Sequence, residues 1–228
     1  MTDSPERPVL VVDVGGSKVK AVLSGDDERR RFESGPELSA EGMVEQVRDL
    51  VSDWSYEAVS VGIPAKVRGS RVVHEPFNLG AGWSDFDFAA AFGRPTVVVN
   101  DAVMQAVGSY EGGRLLFIGL GTGFGSAMVV DWVVAPMELG HMPFRKGTYE
   151  DYIGQRGRDR LGKKHWRKTV AEVVDVFTTA LQPDDVVLGG GNVEYLDELP
   201  MLARRGDNLN AFTGGFRLWD DQYPVRLP

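Results

Sequence analysis

The stretch LVVDVGGS at residues 10–17 has a counterpart, FIGLGTGFGS, at residues 117–126 of the 228-residue chain. Each stretch is an apolar run that ends in glycines and is followed by a second, alternating run. Each therefore predicts a strand, a glycine turn and a returning strand. Because the two copies lie half a chain apart, they predict two similar lobes that offer glycine hairpins to a shared cleft.

Glycine hairpins of this kind suit phosphate binding, because the missing side chains let backbone N–H groups converge on an anion. The hydroxyls of Ser17 and Thr122 can each add a hydrogen-bond donor. The spacing matches neither a Walker loop nor a dinucleotide-binding fingerprint. The alternative is that the glycines only supply a positive φ to ordinary hairpin turns. Two matched copies favour the phosphate interpretation.

Two charged residues of the first stretch bear on this interpretation. Asp13 stands where the strand meets the turn, a place where a carboxylate can hold Mg²⁺ through water. Lys18 is either a phosphate contact or a solvated charge on the hairpin, and the residues alone do not separate these two roles.

The remaining pattern predicts a mixed α/β protein. Buried strands are expected over residues 8–12, 58–63, 95–99, 115–120 and 186–188, with returning strands over 19–23 and 126–130. Apolar residues at helical spacing predict helices over 39–54, 102–110 and 169–181, with Ser39 as an N-cap. The repeat places the boundary near residue 110, which gives an N-terminal lobe 1–110 and a C-terminal lobe 111–228.

Composition excludes several classes of function. The chain has no cysteine, so disulfides, thiolate zinc sites and cysteine nucleophiles are ruled out. A formal net charge of -8 argues against a nucleic-acid-binding protein. The first residues lack the apolar run of a signal peptide, and no stretch is long and apolar enough for a membrane helix. A cytoplasmic protein without membrane or nucleic-acid partners is expected.

Five short motifs, in order along the chain, carry a resemblance to a known family. They are residues 13–20 (DVGGSKVK), 100–102 (NDA), 119–127 (GLGTGFGSA), 138–141 (ELGH) and 189–192 (GGGN). This order resembles the ROK family of sugar kinases, and within it the chain is most similar to polyphosphate glucokinases. The resemblance implies a two-lobed actin-like ATPase (ribonuclease H-like) fold with a central cleft, and a homodimer is expected.

The resemblance implies a glucokinase that transfers a phosphoryl group from polyphosphate, ATP or both to the 6-hydroxyl of glucose, with Mg²⁺ as cofactor. Asp101 would be the catalytic base, although local sequence alone favours a role as helix N-cap. The donor would be held by the first turn, the second turn and a third glycine run: Asp13, Gly15, Gly16, Ser17, Lys18, Gly121, Thr122, Gly123, Gly189, Gly190, Gly191 and Asn192.

A hexose presents several hydroxyls, and carboxylates and amides can bind such hydroxyls in pairs. The implied sugar site therefore consists of acidic, amide and imidazole side chains: Asn78, Asn100, Asp101, Glu138, His141 and Glu150. A turn role for Asn78 and a structural role for His141 are the alternatives.

The chain departs from the family pattern in one loop. Typical members hold zinc with the histidine of the E-x-G-H motif and a cysteine-rich segment, and that segment is missing here. We expect no zinc site, because His141 has no thiolate partners. Packing by Tyr149 and Tyr152 is expected to hold the loop instead.

A basic segment stands out in this acidic chain. It comprises Arg156, Arg158, Arg160, Lys163, Lys164, Arg167 and Lys168. It is either a solvated helix face or a track for a polyanionic donor such as polyphosphate.

Two other functions compete with the glucokinase interpretation. One is an ATP-dependent kinase for another hexose, such as mannose or glucosamine. The other is a sugar sensor without catalysis, but the family's repressors carry an N-terminal helix-turn-helix, whereas here the first strand is expected near Val9. Asp101, which a degenerate sensor would be expected to lose, is also present. No chemistry is predicted for residues 194–228, which are expected to close the first lobe or to form a dimer contact.

Overall fold

A computed structural model describes residues 7–207 and 209–228 of the chain. Residues 1–6 of the predicted first lobe and Asn208 lie outside the described residues. Within the described part, fourteen strands and seven α-helices alternate along the chain.

The first sheet has five strands in the order β3-β2-β1-β4-β7. Its members are β1 Val9–Val14, β2 Lys18–Leu23, β3 Arg29–Glu33, β4 Ala58–Ile63 and β7 Thr96–Asn100. β1 runs antiparallel to β2 and parallel to β4, which is in turn parallel to β7. A small hairpin, β5 Val67–Arg68 and β6 Arg71–Val72, follows β4.

The second sheet repeats this connectivity in the order β10-β9-β8-β13-β14. Its members are β8 Arg114–Leu120, β9 Phe124–Val130, β10 Val133–Met137, β13 Asp185–Gly189 and β14 Ala203–Arg205. β8 is antiparallel to β9 and parallel to β13. The internal repeat that the two glycine stretches predict is therefore confirmed at the level of strand order and direction.

The helices lie on both faces of the two sheets. They are α1 Ala40–Leu50, α2 Phe88–Phe92, α3 Asp101–Ser109, α4 Tyr149–Ile153, α5 Gln155–Leu161, α6 Lys163–Leu181 and α7 Asn210–Arg217. A short hairpin, β11 Pro143–Phe144 and β12 Gly147–Thr148, precedes α4. Two 3₁₀ helices span Leu139–His141 and Gly191–Tyr195.

Side chains that point alternately to the two faces of the central strands divide the core into layers. Leu10 and Val12 pack with α1 on one face of the first sheet, while Val9 and Val11 face α3 and α7. Phe117 of the second sheet faces α3 from the opposite side. Since consecutive side chains of a strand point to opposite faces, each central strand is buried on both sides and reads as a continuous apolar run.

α3 and α7 cross closely between the sheets. A Cβ at Gly108 would lie 1.8 Å from the Asn210 carbonyl oxygen, and one at Gly214 would lie 1.8 Å from that of Met104. The buried Ser60 of β4 donates to the Gly215 carbonyl at 2.7 Å. The C-terminal segment thus packs on the first sheet as well as on α3, which is the first of the two roles expected for residues 194–228.

Two helix boundaries differ from the expectation. Ser39 is the N-cap of α1, as predicted, but the helix ends at Leu50 rather than Trp54. The indole of Trp54 instead packs under the Arg30 guanidinium, 4.3 Å from the ring centroid. α6 begins at Lys163, earlier than predicted. The apolar pattern missed its first turns because they are cationic and bury only Trp166.

Candidate active site

Asp13 and Asp101 come together because the strands that carry them end at the same edge of the first sheet. Asp13 on β1 pairs with Gly62 on β4, and the next residue of β4, Ile63, pairs with Asn100 on β7. The two carboxylates therefore flank the end of β4. A Cβ at Gly62 would lie 2.4 Å from the Met104 Cε and 3.5 Å from the Asp101 Cα. Glycine at this position lets α3 approach the strand, a contact that the sequence pattern did not reveal.

Asp101 is the most perturbed acid of the site. Burial raises its pKa to about 7, and repulsion from Asp13 and, more weakly, Glu138 acts in the same direction. A hydrogen bond of 2.9 Å from the Ala102 N–H opposes this rise. The carboxyl group therefore exchanges its proton near neutral pH, which is the property that a general base requires.

The N-cap of α3 is Asn100, not Asp101. The Asn100 side-chain oxygen accepts hydrogen bonds from the N–H groups of Ala102 (2.9 Å) and Val103 (3.3 Å). Its amide nitrogen donates to the Ala65 carbonyl at 3.1 Å. The alternative in which Asp101 serves as the cap is therefore wrong. Asn100 fixes the start of the helix and with it the direction of Asp101.

The charged side chains beside the first glycine turn form ion pairs with neighbouring residues. The Gly15 N–H donates to the Lys18 carbonyl at 2.9 Å, and the Asn78 Cβ lies 3.4 Å from where a Gly16 Cβ would stand. Lys18 forms an exposed ion pair with Glu33 at 3.7 Å. Lys20, which sequence analysis passed over, forms the shorter pair with Asp13 at 3.0 Å. Lys18 and Lys20 share one face of β2, and the strand register places Lys20 directly opposite Asp13.

The second glycine turn and the third glycine run lie side by side. Gly119 of β8 pairs with Gly189 of β13, so the parallel strands end together. The Asn192 amide then donates to the Gly121 carbonyl at 2.8 Å. A Cβ at Gly190 would lie 2.5 Å from the Leu120 carbonyl oxygen, and Gly190 has a φ of +84°.

Most glycines of these turns are not needed for a positive φ. Gly15, Gly16, Gly121, Gly123, Gly189 and Gly191 have φ values outside the left-handed region, and only Gly190 lies in it. The alternative in which the glycines only supply positive φ is therefore wrong. A Cβ at Gly121 or Gly191 would meet no described atom within 4 Å, so open space adjoins the backbone at both positions.

The 138–141 motif packs against the second turn. Its glycine is required there, because a Cβ at Gly140 would lie 2.8 Å from the Phe124 carbonyl oxygen. The side chains of Glu138 and His141 are both 56% exposed, with 3.8 Å between the carboxylate Oε2 and the imidazole Nδ1. The exposed ring of Phe77 in the first lobe approaches the His141 ring edge-on, with 6.5 Å between the ring centroids.

Glu150 touches the second turn. Its Oε2 accepts a hydrogen bond of 2.9 Å from the Phe124 N–H, and the same oxygen would lie 2.7 Å from a Cβ at Gly123. The structure thus places this predicted sugar ligand at the border between the implied sugar and donor sites.

Aromatic packing holds the loop in which sequence analysis expects no zinc site. The Phe144 ring stacks on Tyr149 with 4.6 Å between the ring centroids and meets Tyr152 edge-on at 5.3 Å. The Arg145 guanidinium lies over the Phe144 ring and pairs with Glu172 at 2.6 Å. The predicted packing by Tyr149 and Tyr152 is confirmed. Among residues 7–207 and 209–228, no group of three or more His, Asp or Glu side chains forms a metal cluster.

The basic segment forms α5 and the first turns of α6. Arg158 bonds to the Asn192 side chain and lies 4.7 Å from the centroid of the Tyr195 ring. Arg167 pairs with Asp197, whereas Lys164 is exposed. The segment lies on two successive helices, and Arg158 connects it to the third glycine run.

The fold and these turns define the class of protein. Two sheets of one connectivity, with glycine turns after β1 and β8 and a glycine run after β13, make this a two-lobed α/β protein of the actin-like ATPase fold. No helix in the described part of the chain is long and apolar enough to span a bilayer.

The chain belongs to the ROK family, whose family model matches residues 9–157. It is 31% identical over 136 residues to the N-acetylmannosamine kinase of Escherichia fergusonii, a match that covers 53% of this chain. The chain spans between 27% and 46% of the length of the curated relatives it matches.

Solved structures share the fold over nearly the whole chain. The inorganic polyphosphate/ATP-glucomannokinase of Arthrobacter sp. strain KM superposes with a TM-score of 0.80 at 23% identity, covering 92% of this chain and 96% of its own. A Streptomyces griseus ROK glucokinase in complex with glucose and AMPPNP gives a TM-score of 0.76 at 18% identity, covering 92% and 98%.

Proposed function

We propose that this protein is a hexose kinase that transfers a phosphoryl group from ATP or polyphosphate to the 6-hydroxyl of glucose. The observation that carries the proposal is the position of Asp101, a desolvated carboxylate with a pKa raised to about 7, beside Asp13 at the end of β4. Membership of the ROK family supports it. The homodimer and the cytoplasmic location expected from the sequence stay predictions.

In the proposed reaction, the ionised Asp101 accepts the proton of the 6-hydroxyl while that oxygen bonds to the terminal phosphorus. The bond from phosphorus to the donor's bridging oxygen breaks, and ADP or a shortened polyphosphate leaves. Phosphoryl transfer depends mainly on positioning and charge neutralisation, so one aligned base and a fixed donor are sufficient machinery. Asn78, Glu138, His141 and Glu150 are the proposed partners of the ring hydroxyls.

The residues present fit a Mg²⁺ ion held through water at Asp13. Lys20 donates to one oxygen of that carboxylate, Oδ2, and the Asp13 side chain stays 13% exposed. Oxygen ligands with several retained waters are what Mg²⁺ prefers. When bound, the ion would neutralise charge on the phosphates of the donor.

The basic segment supports a polyanionic donor. Arg158 bonds to Asn192 beside the third glycine run, and the exposed Arg156, Lys164 and Lys168 extend positive charge along the helices from there. Such a row of cations attracts a long polyanion more strongly than a single nucleotide. Replacing these three exposed residues by glutamine is expected to raise the KM for polyphosphate and to leave that for ATP within about twofold.

One observation favours a second acceptor. The Escherichia fergusonii relative, 31% identical over 136 residues, is named as an N-acetylmannosamine kinase. A kinase for N-acetylmannosamine or another hexose would use the same base and the same glycine turns, and would differ only in the partners of the sugar substituents.

A panel assay tests the proposal. Purified protein is supplied with ATP or polyphosphate and with glucose, mannose, glucosamine or N-acetylmannosamine, and donor consumption and sugar phosphate are both measured. We expect sugar-dependent turnover that is highest with glucose. Turnover that is highest with N-acetylmannosamine would make that sugar the acceptor in place of glucose and would leave the kinase assignment unchanged. Sugar binding without turnover for any donor would favour the non-catalytic sensor instead.

A further inference from the structure

Three successive residues of the second glycine turn contact three different elements of the proposed acceptor site. Gly123 and Phe124 touch Glu150 of α4, Phe124 also touches Gly140 of the 138–141 motif, and Gly125 touches Ala102 of α3. Each of these elements carries a residue proposed to bind sugar or to act as base. The turn is therefore the place where donor and acceptor sites meet.

The contacts at Gly140 and Gly125 are tight and depend on packing alone. A Cβ at Gly140 would lie 2.8 Å from the Phe124 carbonyl oxygen and 2.9 Å from the ring Cδ1. A Cβ at Gly125 would lie 2.9 Å from the Ala102 Cβ. Neither position has room for a side chain, so the turn shifts only if α3 and the motif shift with it.

The contact at Glu150 is of a different kind, because it is a charge-assisted hydrogen bond. The Phe124 N–H donates to Oε2 at 2.9 Å, and among the described residues Oε1 takes no hydrogen bond. One oxygen of the carboxylate therefore orients the backbone of the donor turn, while the other is available to a hydroxyl of the acceptor. Hydrogen bonds to ionised groups are roughly twice as strong as neutral ones.

We propose that Glu150 is a positioning residue that couples the two substrates, fixing the second glycine turn in its donor-binding geometry when the acceptor is bound. The inference rests on the proposed kinase function. Coupling of this kind is reciprocal: if sugar tightens donor binding by some factor, donor tightens sugar binding by the same factor. It would also limit donor hydrolysis while no sugar is bound.

Calorimetry measures the coupling directly. The Kd of AMPPNP and that of tripolyphosphate are determined with and without saturating glucose or the preferred sugar of the panel. In the wild-type protein the sugar is expected to lower at least one of these Kd values by about fivefold or more. In Glu150→Ala this ratio is expected to fall below about twofold, because the Phe124 N–H loses its acceptor.

Three further variants make the result specific. Glu150→Gln keeps an amide oxygen for the Phe124 N–H and is expected to keep most of the coupling, whereas Glu150→Asp is one methylene too short to reach and is expected to lose it. Asp175→Ala removes an exposed carboxylate of α6 and serves as the matched control. Glu150→Asp stands in for the alanine variant if that variant does not fold by circular dichroism.

Wild-type coupling in folded Glu150→Ala or Glu150→Asp would overturn the inference, as would an active wild-type enzyme without coupling. A variant with a raised KM for sugar alone, and an unchanged KM and coupling for the donor, would make Glu150 a plain sugar ligand. The proposed function fails separately, through absence of sugar-dependent turnover in the wild-type panel.

Discussion

The two glycine turns occupy equivalent places in equivalent sheets, yet they are built from different parts of the chain. The first turn follows β1 and has its own carboxylate, Asp13, paired with Lys20 on the next strand. The second turn follows β8 and contains no charged residue. It takes its polar partners from Glu150 and Asn192, both distant in sequence.

This difference separates two tasks of an anion site. The first turn supplies fixed charge next to the proposed base, as the effect of Asp13 on the pKa of Asp101 indicates. The second turn supplies backbone N–H groups whose geometry is set by neighbouring elements. We therefore expect substitutions at the first turn to change chemistry and substitutions at the second to change donor binding.

Asp13→Asn at the first turn is expected to cause a larger loss of activity than substitutions at the second turn. It removes the carboxylate of the first turn and the proposed ligand for Mg²⁺, so we expect kcat to fall by about 10²-fold. Steady-state assays with saturating donor and sugar measure it. Glu33→Gln, which removes an exposed partner of Lys18, is the control and should retain near-normal kcat. A loss confined to the KM for donor would assign the two turns the same task.

Gly121→Ala in the second turn and Gly191→Ala in the adjoining third glycine run sharpen the comparison. Since a Cβ at either position meets no described atom within 4 Å, folding is expected to tolerate both changes. The KM for donor should rise by about tenfold, because the methyl group fills the space that a phosphate would approach. Gly190→Ala is the contrast: with a φ of +84° and a Cβ 2.5 Å from a carbonyl oxygen, it should lower the melting temperature. Normal donor KM in both open-site variants would contradict the donor assignment.

The pH profile tests how strongly the first turn acts on the base. Since Asp101 must be ionised and its pKa is raised to about 7, kcat/KM should fall about tenfold per pH unit below that value. In Asp13→Asn one source of repulsion is removed, so the acid limb should move to lower pH. A limb at the same pH in both proteins would mean that the two carboxylates do not interact.

Lys18→Met is expected to have the smallest effect. Its pair with Glu33 spans 3.7 Å between side chains that are 41% and 80% exposed. Exposed pairs of this kind contribute little, so the KM for donor should change by less than about threefold. A larger increase would make Lys18 a phosphate contact and would add a second charge to the first turn.

The sequence predicted the first turn more completely than the second for a physical reason. Strand, turn, Asp13 and returning strand are consecutive residues, so periodicity and residue type are enough to place them. The contacts of Gly123, Phe124 and Gly125 join segments that are far apart in the chain, and periodicity carries no signal for such pairs. The repeat predicted that a second turn exists, but not what holds it.

The same limit applies to Asp101. Its place after a buried strand follows from the local pattern. Its pKa, however, depends on burial and on Asp13 and Glu138, which are distant from it in sequence. Asn100 is the opposite case, since its capping of α3 is a local interaction, and sequence analysis considered such a cap only for its neighbour Asp101. Trp54 was placed in α1 by its spacing, but tertiary packing on Arg30 overrides that spacing.

The most direct test of the account is turnover by Asp101→Asn with sugar binding measured in parallel. We predict that kcat falls by at least ~10²-fold while the Kd for sugar stays within about tenfold of the wild-type value. Because the folded-state pKa of Asp101 lies above its unfolded value, this carboxyl group lowers the stability of the fold progressively as the pH rises from about 4 to about 7, so above pH 7 the variant should be more stable by up to roughly 4 kcal/mol. Near-normal turnover in Asp101→Asn would contradict the assignment of the base and, with it, the arrangement of two glycine turns around one ionised aspartate.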